Sequence, residues 1–431
     1  MNGVFLESYF PGSRGSFGLP TDSRLNVSTL WLSTTYELSL TDHLLSDALS
    51  ALSLSYIEQQ DGFDGTSHRS KTMYGRAMRA LSMKLMDQDE ASEDATLAAA
   101  MALTAYELQN ASKAGVPGWL SHVKGALRLV QLRGSKNVAT SFGQQLFLGT
   151  RLTDFIADIG KRKAIEPHAL SFPNAFTGQL SSFAKLFDIL QTIPSILEQG
   201  DDIVASLQDS SEVELASKIT IMSYTCQEFE SRLMSWRGQL GREKAIGYQD
   251  QLYWEEPSML YHTLPVDSSA RIFPTFFCFQ NLDIAQQLVL HWAGLMFMHL
   301  SQYRSEQGVQ RLDVDLPSLY STDVERAAVA AKCMELAINI TKSLEYFVHP
   351  DMGLTALDFL GLPVNLVFGY LTTRDAKERF WFNVIFDRLS AMSPGFGEFM
   401  KAMAYQGGGG KAFNQLVLQR NYDPAKYEDG I

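Results

Sequence analysis

Apolar residues along this chain recur at three- and four-residue steps and rarely alternate with polar ones, which predicts helices rather than strands. From Thr41 to Ser55 the apolar stripe is Leu44, Leu45, Ala48, Leu49 and Leu52, behind Thr41 or Asp42 as an N-cap. A second stripe, Met73, Ala77, Leu81 and Leu85, predicts a helix from about Ser70 to Met86. Asp94 to Gln109 is so rich in alanine that neighbours can approach it closely on most sides, which predicts a central helix. Trp119 to Arg133 follows, with Leu120, Val123, Leu127, Val130 and Leu132 facing inward and Gly134 suited to a left-handed C-cap. Further helices are expected from about Phe142 to Ile159, Ser182 to Gln199 with a kink or split at Pro194, and Glu212 to Gln239. The last four run from about Phe276 to Leu300, Ser321 to Phe347, Met352 to Leu371 and Asp375 to Met392.

The pattern predicts an all-α fold, a large bundle of antiparallel helix pairs with no significant sheet and no repeat of fixed period. Residues 1–40, rich in Gly, Ser and Pro, read as an irregular leader. The helical body spans 41–405 and can be divided into lobes at 41–165 and 180–405, while Gly407 to Gly410 makes a flexible break before a tail at 406–431.

Composition narrows the function. The formal charge of −12 and pI near 5.2 oppose direct contact with nucleic acid or an anionic membrane. Cys226, Cys278 and Cys333 lie far apart in apolar helical runs, which predicts buried reduced thiols rather than disulfides or thiolate ligands for zinc. The start of the chain has no basic stretch leading into a long apolar run, so no signal peptide is expected. The most apolar window, Gly353 to Leu371, contains Asp358, Pro363 and Asn365. Placing that aspartate at a bilayer centre would cost roughly 2.5 to 3.5 kcal/mol, so a buried core segment is expected instead of a membrane span.

The segment Thr96-Leu-Ala-Ala-Ala-Met-Ala-Leu-Thr-Ala-Tyr-Glu-Leu108 is followed by a Gly/Pro loop and Trp119-Leu-Ser-His-Val-Lys-Gly-Ala-Leu-Arg-Leu-Val-Gln-Leu-Arg-Gly134. This hairpin resembles fungal-specific transcription factor domains, the regulatory middle-homology region of zinc-cluster proteins. The resemblance implies a helical regulatory fold, action in the nucleus, and a small-molecule ligand or a partner transcription factor, with a homodimer also compatible. It also implies an upstream six-cysteine zinc cluster and a basic linker. This sequence departs from that pattern, because before Lys71 its only basic residues are Arg14, Arg24 and Arg69. An initiating Met1 favours a product without a DNA reader of its own. Without the resemblance, the cytoplasm is the expected location.

No metal is expected. His291 and His299 stand two helical turns apart, roughly 12 Å, too far to share one ion. No phosphate-binding loop is present either, since Lys411 is followed by Ala412, and no cofactor is implied. The candidate acid–base residues are His122, Glu255, His262 and Asp358, and the candidate ligand contacts are Trp119, Trp254, Tyr261 and Asn365. For Trp119 to Gly134 the structural alternative is that His122 and Arg133 bond carbonyls or carboxylates at helix junctions. For Tyr253 to His262 it is a loop clamped by aromatic packing. Asp358 is expected to meet Arg271, Arg374 or Arg379, or else to face a cavity.

Two functions remain open. One is a transcription regulator without its own DNA-binding module, sensing a small molecule or pairing with a partner factor. The other is a cofactor-free isomerase, cyclase or lyase of fungal secondary metabolism that reuses the same helical shell.

Overall fold

The structure, a computed structural model, describes residues 2–9, 30–60, 68–110, 116–164, 181–207, 209–244, 251–310 and 323–406. Seventeen α-helices and one two-stranded ribbon lie within them, so the all-α expectation holds. The predicted Gly407 break and the tail after it fall outside the described residues, as does the division between the expected lobes at 166–179.

Within the stretch expected to be an irregular leader, α1 (Asn2–Tyr9) and α2 (Leu30–Ser39) are helical, and Phe5, Trp31 and Leu32 are buried. Next come α3 (His43–Gln60), α4 (His68–Lys84), the short α5 (Gln88–Ala91) and α6 (Asp94–Gln109). Ala98, Ala99 and Ala102 of α6 are fully buried. Their small side chains let α6 pack against α2, α3, α4, α7 (Val116–Arg133) and α8 (Ser141–Lys161), the central position that its composition predicts. On α7 Val123, Ala126, Leu129 and Val130 are buried and Leu120 and Leu127 half-buried, whereas Leu132 is exposed, so of the expected inward face only Leu132 faces outward. Gly134 adopts φ 51° and ends the helix as its position suggests.

The predicted break near Pro194 is real: α9 (Ser182–Leu190) stops at Gln191, and α10 (Ile193–Ser206) starts with the proline in its first turn, where no N–H donor is needed. The long α11 (Glu212–Lys244) buries Leu215, Ile219, Met222, Cys226, Phe229, Leu233, Trp236 and Leu240, a strict alternation of four- and three-residue steps. Arg162, in the left-handed conformation at the end of α8, is buried and donates to both carboxylate oxygens of Asp201 at 2.7 and 2.8 Å. Arg304 of α13 (Leu282–Gln310) joins the same carboxylate at 2.6 Å and ties three helices together.

Phe276 to Phe279 were expected to begin a helix; they are strand. β1 (Tyr253–Pro257) pairs antiparallel with β2 (Thr275–Phe279) in the register Tyr253↔Phe279 to Pro257↔Thr275, and the one-turn α12 (Met259–Thr263) lies between them. Four of the five β2 residues are buried, so the strand shows no alternation and its apolar run is indistinguishable from helix by period. The ribbon lies on α14 (Asp323–Phe347). Two short 3-10 turns, Pro350–Met352 and Leu354–Phe359, then lead into α15 (Gly361–Thr373), so the long helix expected from Met352 is shorter. A further 3-10 turn precedes α16 (Trp381–Met392), and α17 (Pro394–Lys401) follows. One connected apolar core runs from Phe5 to Ala404 and includes all three cysteines as buried free thiols. Among the described residues no helix is long and apolar enough to cross a membrane.

Candidate functional site

The residues of the α6–α7 hairpin are engaged with one another. His122 Nε2 lies 2.9 Å from the Tyr74 hydroxyl and 4.0 Å from the Glu107 carboxylate, and Tyr74 stacks on Tyr106 with ring centroids 4.6 Å apart. Burial lowers the His122 pKa while Glu107 works against it. Burial and then Glu107 raise the Tyr74 hydroxyl well above its usual range. A side chain at Gly118 would bring its Cβ to 2.7 Å from Glu107 Oε2, a contact that the Glu107 side chain would have to move to relieve. Trp119 itself is half-buried. At the other end, buried Arg133 donates to Asn137 Oδ1 and the Ser92 carbonyl, both at 2.9 Å, and to Asp94. Thr140 donates to the second oxygen of Asp94 at 2.8 Å. This is the geometry of a helix junction.

The β-ribbon likewise holds its polar residues in pairs. Glu255 is exposed and accepts from Lys342 at 2.8 Å and Thr275 at 2.6 Å, and these two bonds lower its pKa. Trp254 donates to Glu256 at 2.8 Å, Tyr261 lies under the Arg271 guanidinium at 4.6 Å, and His262 is exposed. The anchor of this region is Glu345 of α14, which sequence reading missed. Buried, it accepts from the Ser258 hydroxyl at 2.5 Å and the Leu260 N–H at 3.1 Å.

Asp358 lines a cavity. The chamber, of about 70 Å³, lies where helices from both ends of the chain meet. Phe5 and Tyr9 of α1, Trp31 of α2, Leu52 of α3, Leu108 of α6 and Phe396 of α17 form its mostly apolar wall. Asp358 accepts a hydrogen bond from the Tyr9 hydroxyl. None of the three expected arginines meets it: Arg271 covers Tyr261, Arg374 covers Tyr370 and Arg379 pairs with Asp375. Asp358 is exposed by surface area at the chamber mouth, yet protein atoms crowd its carboxyl. That crowding raises its pKa to about 7, with the Tyr9 bond pulling the other way. Asn365 has no part here, since its amide donates to the Gly361 carbonyl one turn back on α15 at 2.8 Å.

Close backbone packing seals the chamber on the α17 side. The Gly395 N–H donates to Gln59 at 2.9 Å, and a Cβ on Gly395 would fall 2.0 Å from the Gln109 carbonyl oxygen. Tyr9 and Phe5 escaped the sequence reading because they stand in a Gly- and Pro-rich neighbourhood. Their one signal was a pair of aromatics one helical turn apart.

Residues 20–301 match the fungal specific transcription factor domain. The chain belongs to this family. The match includes the α6–α7 hairpin and the chamber walls Trp31, Leu52 and Leu108. Phe5, Tyr9, Asp358 and Phe396 lie outside it, so the Tyr9–Asp358 pair comes from parts of the chain beyond the matched residues. One curated relative of this family member, the uncharacterized protein AN5342 of Emericella nidulans, is 34% identical over 79 residues, which are 18% of this chain and 16% of that protein. The chain therefore aligns with about a sixth of that relative's length. No solved structure matches.

Proposed function

We propose that this member of the fungal transcription factor domain family is a transcription regulator that senses a small, largely apolar molecule. The ligand would carry an ammonium or another hydrogen-bond-donating group and place it at Asp358. The reading rests on one observation, a carboxyl raised toward neutrality at the mouth of an apolar chamber built from both ends of the chain. A donor there would take over the role of the Tyr9 hydroxyl, and the apolar part would fill the chamber. Such a ligand would bind α1, α6 and the 354–359 turn together, and so couple its presence to the packing of the regulatory body.

Size favours sensing over catalysis. Substrate pockets usually enclose about 300–1,000 Å³, and an apolar cavity of about 150 Å³ takes up benzene. The chamber of about 70 Å³ fits a branched alkyl group rather than a reacting pair. With a net charge of −12, contact with DNA would run through a basic module, on a partner factor or elsewhere, and the site of action would be the nucleus.

The test is thermal unfolding and calorimetric titration of the full chain with isoamylamine against isoamyl alcohol. The amine is expected to stabilise the protein by about 2.7 kcal/mol at a hundredfold excess over its Kd, and Asp358→Asn is expected to abolish the difference between the two probes. Absence of stabilisation by either probe, or equal response of Asp358→Asn and the parent protein, would overturn the proposal.

A further inference from the structure

In a chain of net charge −12, α4 and α7 contain no acidic residue. The first supplies Arg69, Lys71, Arg76, Arg79 and Lys84, the second Lys124, Arg128 and Arg133. Both pack on α6 and run antiparallel to it. Lys84 pairs with Glu93 and Arg133 with Asp94 where α6 begins, whereas Glu107, near its end, stands beside Tyr74 and His122. The two basic helices therefore run in the same direction, bridged by the Tyr74–His122 contact of 2.9 Å. Counted on from that contact, Arg76 comes level with Lys124, and Arg79 with Leu127 and Arg128. All four of these basic residues are exposed. A Cβ at Gly125, between the two on α7, would meet nothing within 4 Å, so this face of the helix is open.

Little within the chain neutralises them. Asp47 takes Arg76 at 3.2 Å, yet that arginine side chain stays 52% exposed. Among the described residues Arg79, Lys124 and Arg128 have no acid within ion-pair distance. Like charges three or four residues apart on a helix repel, so Arg76 with Arg79, and Lys124 with Arg128, work against the helices that carry them. A partner of opposite sign would relieve that repulsion. Where the basic rows end, apolar side chains stand in water: Met83 is 66% exposed, Met86 80% and Leu132 45%. These ends converge, since Lys84 donates to Glu93 and Lys136 to Ser92. Asp87, Asp89 and Glu90, all exposed, then close the basic face. Duplex DNA would leave the methionines unused, and its phosphates would meet the repulsive field of the whole acidic chain. A short acidic peptide with bulky apolar side chains matches both parts, the carboxylates on the basic rows and the apolar groups on the adaptable methionines.

We propose that α4 and α7 form a docking surface for an acidic amphipathic segment of a partner protein. Its carboxylates lie along Arg76, Arg79, Lys124 and Arg128, in charge-assisted bonds that the arginines can make two at a time. Its apolar residues pack on Met83, Met86 and Leu132. Neither helix lines the ligand chamber, so the proposal does not rest on ligand sensing there.

The experiment is fluorescence anisotropy of a labelled peptide of repeated Asp-Asp-Leu triplets, titrated with the full chain at low and at physiological salt. Binding with a Kd on the order of micromolar is expected at low salt, weakening as added salt screens the charges. The double variant Arg79→Glu/Arg128→Glu should weaken it by about tenfold or more. Its circular dichroism spectrum and melting temperature should stay those of the parent, because neither arginine has an ion pair to lose. Met83→Ser/Met86→Ser should weaken binding by about threefold or more, and a peptide of Asp-Asp-Ser triplets should bind the parent chain less well than the leucine peptide. Absence of binding, binding indifferent to the arginine reversals, or equal binding of the serine and leucine peptides overturns the proposal. A labelled DNA duplex that binds more tightly than the peptide, and loses that binding in the arginine double variant, would assign the face to nucleic acid and overturn it as well.

Discussion

Replacing Arg133 by methionine removes the polar centre of the family hairpin while keeping the side chain's length and apolar stem. The arginine side chain is 1% exposed and makes three hydrogen bonds, to Asn137, to the Ser92 carbonyl and to Asp94. Breaking a buried charged pair by removing one partner costs about 3–5 kcal/mol. Two features lower that figure: Asp94 keeps 26% of its side-chain surface in water and retains the Thr140 bond. The loss should therefore be about 2–3 kcal/mol, most of it from the stranded Ser92 carbonyl and Asn137 amide. Arg133→Lys replaces one bond of the fork at best and should cost about 1–2 kcal/mol. With an unfolding entropy near 2.1 cal/mol/K per residue, the Met variant should melt about 2–3 °C lower. Urea unfolding followed by near-UV circular dichroism gives the free energy directly. Arg128→Met, an exposed change on the same helix, is the control. A loss below about 1 kcal/mol for Arg133→Met would refute the view that this arginine fastens the helix junction.

Three further outcomes are expected. Asp358 holds its proton more tightly in the folded chain, with its pKa raised from 3.8 to about 7. The stability this contributes is complete below the unfolded value and is lost as pH rises through that window, whereas Asp358→Asn should lack this slope; parallel stability–pH curves for the two proteins would contradict it. Glu345→Ala leaves the Ser258 hydroxyl and the Leu260 N–H without their buried acceptor, for a loss of about 2–4 kcal/mol and faster amide exchange at Leu260, and unchanged exchange there would refute its anchoring role. Gly395→Ala drives a Cβ into the Gln109 carbonyl and should cost about 1–3 kcal/mol, with limited proteolysis near 393–401 reporting displacement of α17.

Helix periodicity was legible because each inward stripe faces a single core. The alanines of α6, the split before Pro194 and the Gly134 cap follow from side-chain size and backbone freedom alone. The β-ribbon was not legible. Phe276 to Phe279 are buried on both faces, and an apolar run without alternation carries no strand period. Tyr253 to His262 carried two readings, a pocket lining and a loop clamped by aromatic packing; its carboxylates are spent on Lys342, Thr275 and Trp254, and Tyr253 packs on Phe277 and Trp292.

By itself the sequence determined the class of fold, the buried thiols and, through the Tyr-Glu-Leu and Trp-x-x-His hairpin, the family. These depend on local spacing and on residue types that neighbours in the chain can identify. It also marked Asp358, since a carboxylate in an apolar stretch must find a partner or water. Only the tertiary structure decided which partner. Tyr9 stands 349 positions away from Asp358, and two segments so distant meet through the packing of α1 on α3 and the 354–359 turn, a contact that no periodicity encodes.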